Sequence, residues 1–186
     1  MKRRRFVQSI SLLYASPVLF AQAIAKLDTV ATDAAGKPVP RFFSGPQLAA
    51  LRRLSDLVMP AGVMPDGTGA PGALEAGAPE FLDFLIGQSP QPLKMLYRTG
   101  LEALNARATA RYGKVFAALD EEKADALLSP LRAAWTWSPP SDPFAVFLRH
   151  AKADVLTATM NSREWITAAQ RNRASGGSGT YWLPPE

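Results

Sequence analysis

Apolar residues along this chain recur at three- and four-residue intervals, and clusters of Gly and Pro cut them into separate runs. Leu48, Leu51, Leu54, Leu57 and Val58 form the first run, which Pro60 stops. Its start is marked by Ser44-Gly45-Pro46-Gln47, a capping box with Ser44 as N-cap and Gln47 at N3. Phe43 and Leu48 hold the matching positions of a hydrophobic staple. Pro79-Glu80-Phe81-Leu82-Asp83-Phe84-Leu85-Ile86 predicts a short, largely buried helix closed by Gly87. A third helix is expected from near Pro92, with Leu93, Leu96, Tyr97, Leu101, Leu104 and Ala108 as its stripe and Gly113 as its C-cap. Asp120 caps a fourth over Glu121 to Leu128, ending before Pro130. Asp142 caps the fifth, with Pro143 at N1 and Phe144, Phe147, Leu148, Ala151 and Val155 along one face. A further short helical segment is expected around Trp165 and Ile166. No period-two alternation and no internal repeat is present, so the expected fold is all-α: a single compact domain of about five or six helices with long Gly/Pro-rich loops.

The amino terminus does not belong to that domain. Met1-Lys2-Arg3-Arg4-Arg5 leads into an apolar stretch from Phe6 to Phe20 and then Ala21-Gln22-Ala23-Ile24-Ala25, the three-part layout of an export signal. The stretch is interrupted by Gln8, Ser9, Ser11, Ser16 and Pro17, and it is shorter than the roughly 20 apolar residues a spanning helix needs. The expected division is a signal peptide over 1–25, a flexible linker over 26–40, the helical domain over 41–170 and a flexible tail over 171–186. Removing the signal takes four of the 21 cations and no acid, leaving 17 against 16, so the net charge drops from +5 to +1. A nucleic-acid-binding reading loses its support with that basic excess. Lys2-Arg3-Arg4-Arg5-Phe6-Val7 also resembles the twin-arginine export motif, with Arg3, Arg4 and Phe6 as its key positions, against the plainer reading of a general secretory signal. The twin-arginine route carries proteins that are already folded, commonly with a cofactor or bound to a partner that has one.

The chain itself offers little to hold a cofactor. It has no cysteine and one histidine, which removes disulfides, Cys-ligated zinc, iron–sulfur clusters, c-type haem attachment and thiol nucleophiles. Gly67-Thr68-Gly69-Ala70-Pro71-Gly72 matches a dinucleotide-binding string, but it follows a helix inside a Gly/Pro loop rather than a buried strand. Its glycines read as turn residues. His150 and Asp154 share a helix face and could form an oriented general base, with a solvated ion pair as the plainer reading. Glu80 and Asp83 could be a paired-carboxylate acid/base site, or simply acids favoured by a helix N-terminus.

The tryptophans say more. Trp135, Trp137 and Trp182 lie outside the confident helices, beside prolines or glycines, where large aromatics mark either interfaces or the edge of a small core. From Pro60 to Pro79 there are four prolines and five glycines, a long loop suited to lie against a partner or over the domain's own core. Pro65, Gly69, Pro71, Trp135 and Trp137 are therefore the expected partner contacts.

Arg41-Phe42-Phe43-Ser44 opening a helix that ends Leu57-Val58-Met59-Pro60, followed by a Gly/Ala/Pro loop into Glu75-Ala76-Gly77-Ala78-Pro79-Glu80-Phe81-Leu82-Asp83, resembles the gluconate 2-dehydrogenase subunit 3 family. The resemblance is best over Arg41 to Gly87, fair through Gly113 and weak beyond Asn161. It implies a non-catalytic small subunit, with FAD held by a large partner of the glucose-methanol-choline oxidoreductase type. It further implies haem c in a possible cytochrome subunit, passage of the complex through the twin-arginine translocase, and a periplasmic location with membrane contact only through the complex or a retained signal. No cofactor or metal is expected in this chain. Two readings from other classes stand beside it: an exported helical binding or scaffold protein, and a small periplasmic enzyme using His150 and Asp154.

Overall fold

The computed structural model describes residues 39–63, 69–134 and 136–174. In chain order the elements are α1 (Gly45–Val58), a two-residue antiparallel pair β1 (Gly62–Val63) and β2 (Gly69–Ala70), α2 (Ala78–Gln88) and α3 (Gln91–Tyr112). A 3-10 turn (Phe116–Ala118), α4 (Glu121–Leu127), a second 3-10 turn (Ser129–Arg132), α5 (Pro143–Met160) and α6 (Arg163–Ala174) follow. The fold is an all-α domain built on α1, α2, α3 and α5, which pack pairwise on one another. The short elements close one end of that bundle, and α6 touches α5 and β2.

The local signals explain the helix starts. Ser44 Oγ accepts from the Gln47 amide and Gln47 Oε1 accepts from the Ser44 amide, so both halves of the capping box are present. Asp120 and Asp142 cap α4 and α5 through the amides of Lys123 and Phe144. Gly113, at φ 68°, ends α3 in the left-handed conformation that glycine adopts without steric cost. The expected stripes are the buried ones: Leu48, Leu51 and Leu54 on α1, Tyr97, Leu101, Leu104 and Ala108 on α3, and Phe144, Phe147, Leu148, Ala151 and Val155 on α5.

Three boundaries differ from the sequence expectation. Gly87 lies inside α2 rather than closing it, because it does not take the left-handed conformation of a glycine cap and the C-cap is Ser89; the Phe42 ring packs over it, and a Cβ there would approach Phe42 Cβ to 3.1 Å. Within the long Gly/Pro loop a short antiparallel pair forms, with Gly62 opposite Ala70 and Val63 opposite Gly69. Helix α6 continues to Ala174, past the expected 170/171 boundary, since no Gly or Pro interrupts it before Gly176.

Gly100 sets the closest approach in the bundle. A Cβ at this position of α3 would fall 2.0 Å from Phe147 Cγ on α5, so only a glycine lets the fully buried Phe147 ring lie against the α3 backbone. Gly100→Ala should therefore destabilise the domain by about 1–3 kcal/mol through overpacking, read as a shift in a urea unfolding midpoint. Adding Phe147→Leu should recover part of that loss, because the two positions share one space.

Candidate functional site

The two acidic residues at the start of α2 are both buried, and each has a structural partner. Asp83, 2% exposed, accepts from the backbone amides of Arg41 (2.5 Å), Phe42 (3.0 Å) and Phe43 (2.8 Å). Glu80, 7% exposed, pairs with Arg52 of α1. Glu80 does lie in the first turn of α2, where the helix dipole favours an acid, but both carboxylates are also engaged in long-range contacts that the sequence readings did not include. They tie α2 to α1 and to the segment that leads into it.

His150 and Asp154 are not hydrogen-bonded to each other. Asp154 is half-buried and accepts from the Tyr97 hydroxyl at 2.6 Å, while His150 is exposed beside Trp137 and Pro139. The neighbouring helix α3 thus claims the carboxylate that would have oriented the histidine. Burial first, and then the hydrogen bond to Asp154, push the Tyr97 phenol well above its ordinary range.

The glycine string is also spoken for where it is described. Gly69 lies in the hairpin and is exposed, Pro71 is half-buried, and Gly72 is buried under the Pro60–Ala61 backbone, where a Cβ would come within 2.4 Å of the Ala61 nitrogen. The Gly72 amide donates to Glu75 Oε2 at 2.5 Å, so an acid of the chain already occupies that donor. The Ala73 amide donates to the Met59 carbonyl at 2.8 Å and closes the loop at its base. Pro65 lies outside the described residues, as do Trp135, Arg3, Arg4 and Phe6.

Several large apolar and aromatic side chains also remain accessible. Trp137 is 89% exposed on the loop before α5. The Arg149 guanidinium donates to the carbonyls of Thr136 (2.9 Å) and Ser138 (3.2 Å) on either side of it, and this clamp was not legible in the sequence. A cleft of about 540 Å³ opens beneath the loop, between Leu131, Pro140 and Leu156. A second apolar groove, about 430 Å³, runs between Phe81 and Leu85 of α2 and the junction of α5 with α6. Among the described residues no group of three or more His, Asp or Glu side chains could hold a metal ion, and no helix is long and apolar enough to cross a membrane.

The buried carboxylates Glu80 and Asp83 serve as ties between packed segments. A family model described as gluconate 2-dehydrogenase subunit 3 matches residues 46–179, well over half of the sequence. The chain belongs to the gluconate 2-dehydrogenase subunit 3 family. No curated protein and no solved structure gives a significant match. The family is one of accessory subunits in a dehydrogenase complex, which is consistent with a chain that performs no catalysis of its own. The match spans all six helices and ends near the start of the C-terminal segment that follows α6.

Two predictions follow from the buried polar contacts. Asp83→Ala would leave three backbone amides without their acceptor and should cost about 2–4 kcal/mol in urea unfolding, with Asp83→Asn, which retains one acceptor oxygen, costing less. Tyr97 gives the domain an alkaline limit. Because its folded pKa is raised, the unfolded chain releases the phenolic proton first, so its contribution is complete below about pH 10 and is lost as the pH climbs above that. Stability measured from pH 8 to 11 should fall less steeply in Tyr97→Phe, a variant expected to be weaker by about 1–2 kcal/mol at neutral pH.

Proposed function

We propose that this chain is the non-catalytic small subunit of a periplasmic, FAD-dependent dehydrogenase complex of the glucose-methanol-choline type, acting on gluconate or a related sugar or polyol. In this reading it stabilises the large flavoprotein subunit and escorts it, already folded and flavin-loaded, through the twin-arginine translocase. A cytochrome c subunit is the expected next carrier of the electrons. The observation that carries the reading is the family match over residues 46–179, joined to an N-terminus with Arg3, Arg4 and Phe6 in the order of a folded-protein export signal. The two belong together physically, since a domain whose acids are committed to packing gains a role from what it binds, and a folded partner needs a route that accepts folded cargo.

The escort role is tested by Arg3→Lys with Arg4→Lys in the full chain. Both subunits should then stay in the cytoplasm, and periplasmic dehydrogenase activity should fall to background. Unchanged periplasmic activity in that double variant would refute the escort role.

A further inference from the structure

Helix α5 carries apolar residues on two opposite sides. Its core side is Phe144, Phe147, Leu148, Ala151, Val155 and Thr159, all buried. At about 100° per residue, Val146, Ala153, Leu156 and Met160 fall on the side turned away from that core, separated by seven, three and four residues. Arg149, His150 and Thr157 share this side, so its apolar residues are interleaved with polar ones. Here Val146 and Leu156 are half-buried, and Ala153 and Met160 are exposed.

The Trp137 loop lies alongside this face. Arg149, which stands on the same outer side, holds the carbonyls before and after Trp137, and Thr136 Oγ1 donates to the Ser138 carbonyl at 2.9 Å. Pro139 and Pro140 restrict the backbone that follows. The indole is thus presented on a stiffened loop between two clefts, about 540 and 300 Å³, a preorganised arrangement that costs little further order on binding.

The charge of the surface narrows what fits it. Neither cleft is lined by an Asp or Glu, while Arg149, His150 and Lys152 line them. Asp142 is committed to the α5 cap and Arg107, Asp154 to Tyr97, and Asp125 to Arg132. Two copies of this chain joined symmetrically through the face would set the same cations against each other.

We propose that the outer face of α5, with the Trp137 loop, is the surface that docks on the catalytic flavoprotein subunit. The matching surface of that partner is apolar, receives the Trp137 indole and carries a carboxylate opposite Lys152. This rests on the reading of the chain as a small subunit. Trp137 and Leu156 supply the buried contact, Lys152 supplies charge at the rim, and Arg149 acts as a positioning residue for the loop.

The test is affinity capture of the tagged full-length chain from its own cells, reading flavin absorbance per captured chain alongside a thermal melt of each variant. Trp137→Ala, Leu156→Glu and Lys152→Glu should each lower the captured flavoprotein by about tenfold or more, with Met95→Glu, at an exposed apolar position on α3, unchanged. Lys152 is exposed and bears no core contact, so its charge reversal reads docking even where Leu156→Glu disturbs the fold. Full flavin capture by all variants would overturn the surface and leave the small-subunit reading standing. No flavoprotein on the unaltered chain would overturn both. A chain that is dimeric in solution and becomes monomeric in Leu156→Glu, with flavin capture unaffected, would assign the face to a second copy, and selective loss in Met95→Glu would move the docking to α3.

Discussion

The Asp83 carboxylate accepts hydrogen bonds from three consecutive backbone amides, those of Arg41, Phe42 and Phe43, and it does so almost entirely out of water. A buried carboxylate is tolerated only when its charge is met, and successive amides of one strand of chain meet it here without a cation. Fixing those amides brings Phe43 into the core beside Tyr97 and sets Ser44 where it caps α1. The Phe42 ring is then pressed between Gly87 of α2 and the Arg98 guanidinium of α3, 4.3 Å from its centroid. One side chain on α2 therefore aligns the entry segment, α1 and α3, and Glu80, one turn earlier, adds an ion pair to Arg52 of α1.

The other organising element is α5, which lies against α1, α2 and α3. Its inner side is held close by the Phe147 ring against Gly100 and by Asp154 beneath the Tyr97 hydroxyl. Those contacts leave the opposite side of the helix facing outward with Arg149, which organises the Trp137 loop. The same helix thus transmits the rigidity of the core to the surface best suited to a partner, because a docking residue is only as well positioned as the element that carries it.

For an accessory subunit this division makes physical sense. Glu80, Asp83 and Asp154 are used as ties within the bundle, and the clefts beside the Trp137 loop are lined by apolar, aromatic and basic residues. Membership of the gluconate 2-dehydrogenase subunit 3 family, seen in the match over residues 46–179, gives such a surface a reason to exist.

Much of the fold was legible from residue order alone. The capping boxes and caps at Ser44, Asp120 and Asp142, the stop at Pro60, the C-cap at Gly113 and the buried stripes of α1, α3 and α5 are local features, set by residues within a turn or two of one another. The exposure of Trp137 was anticipated as one of two alternatives for the same reason, since a proline-flanked aromatic either plugs an edge or faces outward. The roles of Asp83, Glu80 and Asp154 were not legible. Their partners lie 28 to 57 residues away in sequence, and helix position alone made them look like acids at a dipole or half of a dyad. The place of Gly87 inside α2, the need for glycine at position 100 and the clamp of Arg149 on residues 136–138 belong to the same class. Caps and periodicity are short-range and written in neighbouring residues, whereas the fate of a buried charge depends on which backbone the packed helices bring to it, and only the tertiary structure decides that.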